Sequence, residues 1–425
     1  MFNNKKPSEM VGYKKEYNLW LFSFIIVNVI ATVVMYESGL LLGDLESVDV
    51  YNNATLLAAL AMVIFSYYFI LRWIFNILTR IRIPRIFDIR KLNGTGEKIL
   101  GYTLFALQIL YIIFNLKEGT NTAGAVNVKT DSIWAYFWVL VPVDGLFYLY
   151  YGFHREDKLF KYNLLIFVLS NLMRGWSGVF LFIVFFEWCR AFRRNKLNYL
   201  KITILAVIGG MLYPFLLNLK WVIRAASASQ QNLLSVSSVF LDLVGNVSYV
   251  EMFYKGIAQL SGRLQQTAIL VEIIHYKALL QDEFTKGMIL PFWSDGLPQI
   301  IFRRALGTTA PPSIGVGITT YLFPDSLFDL GSYNISIGYM GWFFIAPNFA
   351  LLYIMYTFFL CIISVVLLKQ LDRKEGGLDA LWLAWLVYLL AGWLIQFIAF
   401  IYAIFAFIIL TLLTQYFSRL RLKWN

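Results

Sequence analysis

The chain has 425 residues, of which 59% are hydrophobic, 18% aromatic and only 14% charged, and its mean hydropathy is +0.66. These figures exclude an ordinary water-soluble domain, a disordered chain, a collagen and a disulfide scaffold, and they point to an all-α polytopic membrane protein in contact with the lipid bilayer. The formal charge of +11 lies mostly in short segments between apolar runs rather than on one basic face, so no nucleic acid is expected as a partner.

A hydrocarbon core about 30 Å thick takes roughly 20 apolar residues per helix. Ten runs fit that requirement, at 17–36, 54–78, 99–115, 132–152, 159–173, 175–192, 199–218, 342–368, 379–396 and 398–417. The fifth and sixth runs read as a tight hairpin across Asn171–Gly178, and the last two as a hairpin turning near Gln396. The first run has no small-residue cleavage site after it and is long enough to span, so it reads as a retained helix.

Sidedness follows from the placement of Lys and Arg in short loops. Lys5, Lys6, Lys14 and Lys15 precede the first run; Arg80, Arg82, Arg85, Arg90, Lys91 and Lys98 separate the second from the third; Arg190, Arg193, Arg194, Lys196 and Lys201 follow the sixth. The short loops of opposite parity, 37–53 and 116–131, contain only Lys117 and Lys129. Both termini are therefore expected in the cytoplasm.

The topology divides the chain into a first helical block at 1–218, a large outer loop at 219–341 and a last helical block at 342–425. The loop holds eight Lys/Arg and eight Asp/Glu, so it is net neutral. Stretches Leu233–Val244 and Leu264–Leu280 repeat apolar residues at three and four positions, which predicts short amphipathic helices on the membrane surface or over a cavity. From Pro291 to Pro324 the composition turns to Gly and Pro, which is loop chemistry.

Several residues could carry chemistry. Arg174 stands in the turn Asn171-Leu-Met-Arg-Gly-Trp-Ser-Gly178, where a guanidinium near the outer interface suits a lipid diphosphate or an ion pair with Asp144. Arg224, Arg263, Arg303 and Arg304 are the loop arginines able to converge on the same anion, and a solvated or salt-bridged surface role is the alternative for each. Glu272 and His275, three positions apart on a predicted helix, could act as base and orienter, with Glu251 and Asp295 as comparable bases. Asp44, Glu46 and Asp49 have a spacing that could hold a hard divalent cation, although acids are expected wherever positive charge is depleted. Two cysteines, Cys189 and Cys361, and two histidines, His154 and His275, are too few for a disulfide framework or a zinc site. No Walker-type glycine loop, nucleophile elbow or His-Glu-x-x-His motif is present, and no cofactor or metal is expected.

The many helices, the one large outer loop late in the chain, and the stretch Asn171–Lys196, a polar turn with Arg174 followed by a Phe-rich helix with a basic end, together resemble the Wzy-type O-antigen polymerases. The segment Tyr333-Asn-Ile-Ser-Ile-Gly-Tyr-Met-Gly-Trp-Phe-Phe344 is similar to that family's return into the membrane, and Arg304 with Gly315 fits an Arg-x10-Gly spacing of its outer loops. Arg224 and Arg263 lack a Gly at that distance, so the second loop motif of the family is missing. The resemblance implies a GT-C-like, metal-independent glycosyltransferase of the bacterial inner membrane. In it, the growing glycan on undecaprenyl diphosphate is the donor, a single lipid-linked repeat unit is the acceptor, and a chain-length regulator protein is a possible partner. On that reading Arg174, Arg263 and Arg304 hold the diphosphate, and Glu272 or His275 takes the acceptor proton. An O-antigen ligase, which transfers the same donor to lipid A-core, and a lipid-linked glycan flippase are the competing readings.

Overall fold

The computed structural model describes residues 14–45, 48–87, 89, 92, 94–118, 132–196, 199–228, 248–294, 314–315, 317–318, 335–371 and 375–424. Among them the architecture is all helical, with one isolated antiparallel bridge between Leu40 and Asp49. The helices are α1 (Glu16–Ser38), α2 (Asn53–Arg80, with a π-helical turn at Phe69–Ile74), α3 (Gly94–Glu118), α4 (Ile133–Leu140), α5 (Val143–His154), α6 (Phe160–Met173), α7 (Val179–Arg193) and α8 (Tyr199–Ala228). After them come α9 (Tyr249–Leu264), α10 (Thr267–His275), α11 (Lys277–Thr285), α12 (Gly338–Ile345), α13 (Ala350–Leu368), α14 (Glu375–Ala384, continued by the π-helical turn Trp385–Leu389) and α15 (Leu394–Trp424).

Among the described residues, six segments are long and apolar enough to cross a membrane: Glu16–Ser38, Asn53–Arg80, Gly94–Glu118, Ile133–His154, Pro347–Leu368 and Leu394–Arg419. Shorter apolar helices occupy Phe160–Met173, Val207–Leu219 and Gly376–Leu389. The long helices turn one face outward: Leu19, Phe22, Ile26, Ile30 and Val33 are exposed on α1, and Leu351, Met355, Phe358 and Phe359 on α13. Apolar faces of that extent suit lipid rather than water. The opposite face of α1 buries Tyr17, Leu21, Phe24, Asn28, Ala31, Thr32 and Met35 against the bundle.

Two short helices form the centre. Nine of the twelve residues of α5 are buried, and every residue from Gly377 to Leu386 of α14 is buried. A helix that is hydrophobic all round belongs in protein. They pack on each other where glycine removes the side chains: a Cβ on Gly376 would stand 2.0 Å from the Gly152 carbonyl oxygen, and one on Gly152 would stand 2.4 Å from the Gly376 oxygen. Tyr17, Phe185 and Trp382 stack in parallel beside this contact, with Trp382 4.7 Å from Tyr17 and 5.4 Å from Phe185.

The structure revises several expected boundaries. The fourth run breaks at Val141–Pro142 into α4 and α5, because proline has no N–H to donate and clashes with a continuing turn. The last hairpin turns at Ala391–Trp393 rather than at Gln396, which lies inside α15: Gly392 adopts φ +77°, and the Trp393 and Gly392 amides return to the Tyr388 and Leu389 carbonyls. The seventh run extends to Ala228, ten residues past the expected end at 218, and the eighth run, expected unbroken over 342–368, is interrupted at Ala346–Pro347, its first residues belonging to α12. The expected amphipathic helix at Leu264–Leu280 is two helices, of which α10 buries every residue from Thr267 to Ile273 instead of lying on a surface. The other expected one, Leu233–Val244, lies outside the described residues.

Chain direction places the α1 start, the α5–α6 turn, the α7 end and the α14 start at one end, the basic end. The opposite end carries the 39–51 loop, the α6–α7 turn, α9 to α12 and the α14–α15 turn. Replacing Gly376 with Val should cost about 3 kcal/mol or more, because the added atoms meet backbone that cannot step aside. Thermal unfolding in detergent should show a lowered midpoint for Gly376→Val and none for Gly209→Ala, where a Cβ meets nothing within 4 Å.

Candidate functional site

At the opposite end, the chain leaves α6 through a Schellman turn. The Trp176 amide donates to the Asn171 carbonyl at 2.8 Å, the Gly175 amide to the Leu172 carbonyl at 2.9 Å, and Gly175 takes φ +73°. This turn sets Arg174 at the end of α6 with its side chain only 5% exposed. Its Nη2 donates to Asp144 Oδ1 at 2.8 Å, its Nε to the Ser170 carbonyl at 3.1 Å, and its Nη1 to the Tyr111 hydroxyl at 3.4 Å, with the guanidinium 5.1 Å from the Tyr111 ring centre.

Asp144 is the second residue of α5, where the helix N-terminus also favours a carboxylate. Asn171 Nδ2 donates to the same Oδ1 at 3.3 Å. The Asp144 side chain is 32% exposed, so the pair has a buried cationic side and a more open anionic side. The expectation that Asp144 meets an arginine is met by Arg174. One turn along α5, Tyr148 stacks on Phe182 at 3.8 Å, and the Tyr388 ring of α14 lies 6.0 Å from the same Phe182 ring.

A polar network lies across the α14–α15 turn. The Gly338 and Tyr339 amides donate to the Ala391 and Leu390 carbonyls, and the Ser336 hydroxyl reaches both the Ala391 carbonyl and Gln266 Oε1. The Gln266 amide in turn donates to Asn28 Oδ1 at 2.8 Å, with the Thr267 hydroxyl 3.2 Å from the same atom. A buried asparagine on α1 thus caps the start of α10, whose remaining orphan amides are answered partly by Gln265 Oε1 on the Ala268 amide.

The α10 helix carries Glu272, whose residue is 0% exposed and whose two carboxylate oxygens have no hydrogen-bond partner. Burial alone pushes its carboxyl up to about 7. His275 is exposed at the end of the same helix and stacks on Tyr51 with ring centres 3.6 Å apart and planes 3° from parallel. The Tyr51 hydroxyl lies 3.3 Å from that of Tyr276. Glu272 and His275 therefore do not form the base and orienter pair that their spacing suggested: one is enclosed, and the other lies on the surface against a tyrosine.

Of the arginines expected around a diphosphate, Arg224 lies on α8 and Arg263 on α9, both at the opposite end, while their side chains lie outside the described residues. Arg303 and Arg304 lie outside the described residues altogether, as does Asp295. In the first loop Asp49 is exposed, whereas the Asp44 side chain and Glu46 lie outside the description. Among the described residues, no three His, Cys, Asp or Glu side chains gather as a metal site.

Sequence reasoning missed the charge cluster at the basic end. Arg193 Nη2 donates to Asp379 Oδ2 at 2.6 Å and its Nη1 to Glu16 Oε1 at 3.1 Å. Tyr17 donates to Asp379 Oδ1 at 2.8 Å, and Lys14 stands 3.6 Å from that oxygen. The signal was available in Asp379, an acid at the head of the apolar run Ala380–Trp385, which demands a partner inside the protein. Searches of known protein families, curated proteins and solved structures return no match to the chain.

The Arg174–Asp144 pair supplies a direct test of geometry. Arg174→Ala should destabilise by about 3 kcal/mol, since it leaves Asp144 without its cation. Arg174→Ala combined with Asp144→Ala should recover a large part of that loss in a double-mutant cycle read by thermal unfolding.

Proposed function

We propose that the protein is a polymerase of lipid-linked oligosaccharide repeat units, working at the outer face of a bacterial inner membrane with both termini in the cytoplasm. On this reading the short apolar helices join the six long ones to give about ten crossings in a GT-C-like arrangement. The observation that carries the reading is that a buried guanidinium, Arg174, held by Asp144, and a separate buried carboxyl, Glu272, both lie at the end of the bundle that carries α9 to α12. That end is opposite the lysine- and arginine-rich loops, which places it outside by the charge rule.

The chemistry is a glycosyl transfer without nucleotide sugar. A hydroxyl of the lipid-linked acceptor attacks the anomeric carbon of the donor glycan, the bond from that carbon to the undecaprenyl diphosphate oxygen breaks, and the hydroxyl proton passes to a base. Arginines ease departure because fixed positive charge meets the negative charge that develops on the leaving oxygen. Arg224, Arg263, Arg303 and Arg304 are assigned to the diphosphate. Arg174 adds its least engaged donor, the Nη1 whose bond to Tyr111 is long at 3.4 Å. Glu272 and His275 are the assigned proton acceptors, and no metal or cofactor takes part. The lipid-linked donor and acceptor are the substrates, with a chain-length regulator as a further partner.

The test is glycan chain length in cells that carry the native genes but lack this one, complemented with wild type or with Arg174→Ala, Arg263→Ala or Arg304→Ala at matched membrane abundance. Glycans capped at one repeat in the deletion strain, and restored length with wild type, are the expected outcome; each arginine variant should leave short glycans. Long lipid-linked chains that never reach the core would identify a ligase instead, and loss of all outward lipid-linked repeats would identify a flippase.

A further inference from the structure

The described part of the bundle contains two carboxyl residues with no exposed surface, Asp379 and Glu272, and they differ in a way that composition cannot reveal. Asp379 is held by Arg193, Lys14 and Tyr17. Glu272 has no hydrogen bond to either oxygen. An isolated ionised carboxylate in such a place is disfavoured by far more than a neutral acid, so the group resolves the conflict by keeping its proton. A buried orphan of this kind is rare in a native fold and needs an explanation.

The surroundings supply one. The α10 helix packs against α1, α2, α11, α12 and the turn at Gly43–Leu45. Those elements carry Glu37 at the end of α1, Tyr67 on α2 and Tyr339 on α12. The first loop adds Asp49 and Tyr51, and the α10–α11 junction adds His275, Tyr276 and Lys277. Tyr51 senses the Glu272 charge, and its own hydroxyl is pushed up chiefly by the hydrogen bond with Tyr276. Its ring lies flat on His275, one turn of α10 from Glu272. The Tyr51–His275 stack thus lies at the exposed end of α10, one turn from the enclosed Glu272.

We propose that Glu272 is a proton-exchange site, loaded as the neutral acid beneath the Tyr51–His275 stack and discharged when Tyr51 swings away and admits water to the carboxylate. The exchange is a plain acid dissociation, in which the carboxyl O–H bond breaks and the proton passes to water. The inference deepens the assignment of Glu272 as acceptor of the hydroxyl proton, since a base must be emptied before it can be used. The site itself does not depend on the polymerase reading, because the enclosed acid and its cap are properties of the fold.

Carbodiimides test it without any activity assay. N,N′-dicyclohexylcarbodiimide takes the proton of a neutral carboxyl onto nitrogen while the carboxyl oxygen adds to its central carbon, and the adduct is read by peptide mass. In purified full-length protein in detergent, the peptide holding Glu272 should be labelled at pH 6 and at least tenfold less at pH 9. The peptide holding Asp379 serves as the ion-paired reference. Glu272→Gln should abolish the Glu272 adduct and should raise the thermal midpoint at pH 8 more than at pH 5. The sign follows because an acid held neutral by folding loses its stabilising protonation as pH climbs from the ordinary carboxylate range through its folded value.

Tyr51→Ala should label faster than wild type, and Tyr51→Phe, which keeps the ring but loses the bond to Tyr276, should fall between. Labelling confined to Tyr51→Ala, still stronger at pH 6 than at pH 9, supports the proposal with a tight cap. Glu272 left unlabelled in wild type and both Tyr51 variants, labelling equal at pH 6 and pH 9, or equal rates with and without the Tyr51 ring would each overturn it. None of these readouts changes if the glycan chain-length experiment identifies a ligase or a flippase, so the two ideas fail separately.

Discussion

Inside a bundle of apolar helices a charge persists only where the protein itself supplies the opposite charge or enough hydrogen bonds, because neither lipid nor a packed core can do so. The Arg193 junction shows what that constraint does to a fold. Its partners Glu16 and Asp379 come from the first helix and the fourteenth, so one guanidinium ties together segments separated by most of the chain. The cluster also helps fix the depth of α14, together with the buried Trp385, whose Nε1 donates to Ser364 Oγ at 3.3 Å. The close Gly152–Gly376 approach then follows as a consequence, since α14 cannot reach Arg193 without lying directly on α5.

The same constraint organises the opposite end with less finality. Arg174 and Asp144 satisfy each other, but the carboxylate side of the pair is partly open, and a separate network joins Ser336 and Gln266 to Asn28. Buried polar groups of this kind are costly in a membrane protein unless each finds a partner or something polar uses them. At the basic end the charges are consumed in holding helices together; at the opposite end they converge towards a region covered by additional helices. This asymmetry makes the opposite end the candidate for chemistry, independently of any family resemblance.

Much of the helical plan was legible because long apolar runs report their own length. The α1, α2, α3, α13 and α15 helices could be read in this way, and so could the α6–α7 hairpin, whose Gly175 provides the left-handed residue that a Schellman turn requires. Apolarity alone could not separate helices facing lipid from helices enclosed by protein, so the burial of α5, α10 and α14 was invisible. Gln396 misled because polarity was taken as the mark of a turn, whereas the conformational freedom of Gly392 decides where the chain reverses. Within the candidate site, Arg174 and Asp144 were legible as residue types out of place in apolar surroundings and as partners for each other, whereas Glu272 read only as one of several bases on a surface helix. The contact of Tyr51 with Tyr276 was not legible, because the two stand 225 positions apart and no local pattern announces a contact across that distance.

The way the first loop is fastened decides how access to Glu272 could change. The loop closes on itself, with the Leu41 amide donating to the Val48 carbonyl and the Val50 amide to the Gly39 carbonyl, both at 2.7 Å. Gly43 lies so close to Gly262 of α9 that a Cβ on Gly262 would stand 2.2 Å from the Gly43 Cα, and Gln265 Nε2 donates to the Leu42 carbonyl. A hinge movement of the whole loop would therefore break its contact with α9 along with several backbone hydrogen bonds. Rotation of the Tyr51 side chain breaks its ring stack on His275 and its edge and hydroxyl contacts with Tyr276, and no backbone hydrogen bond. The smaller motion is the cheaper one, so on the proposed exchange a rotation of the Tyr51 side chain, rather than a movement of the backbone that carries it, is the route by which water would reach Glu272.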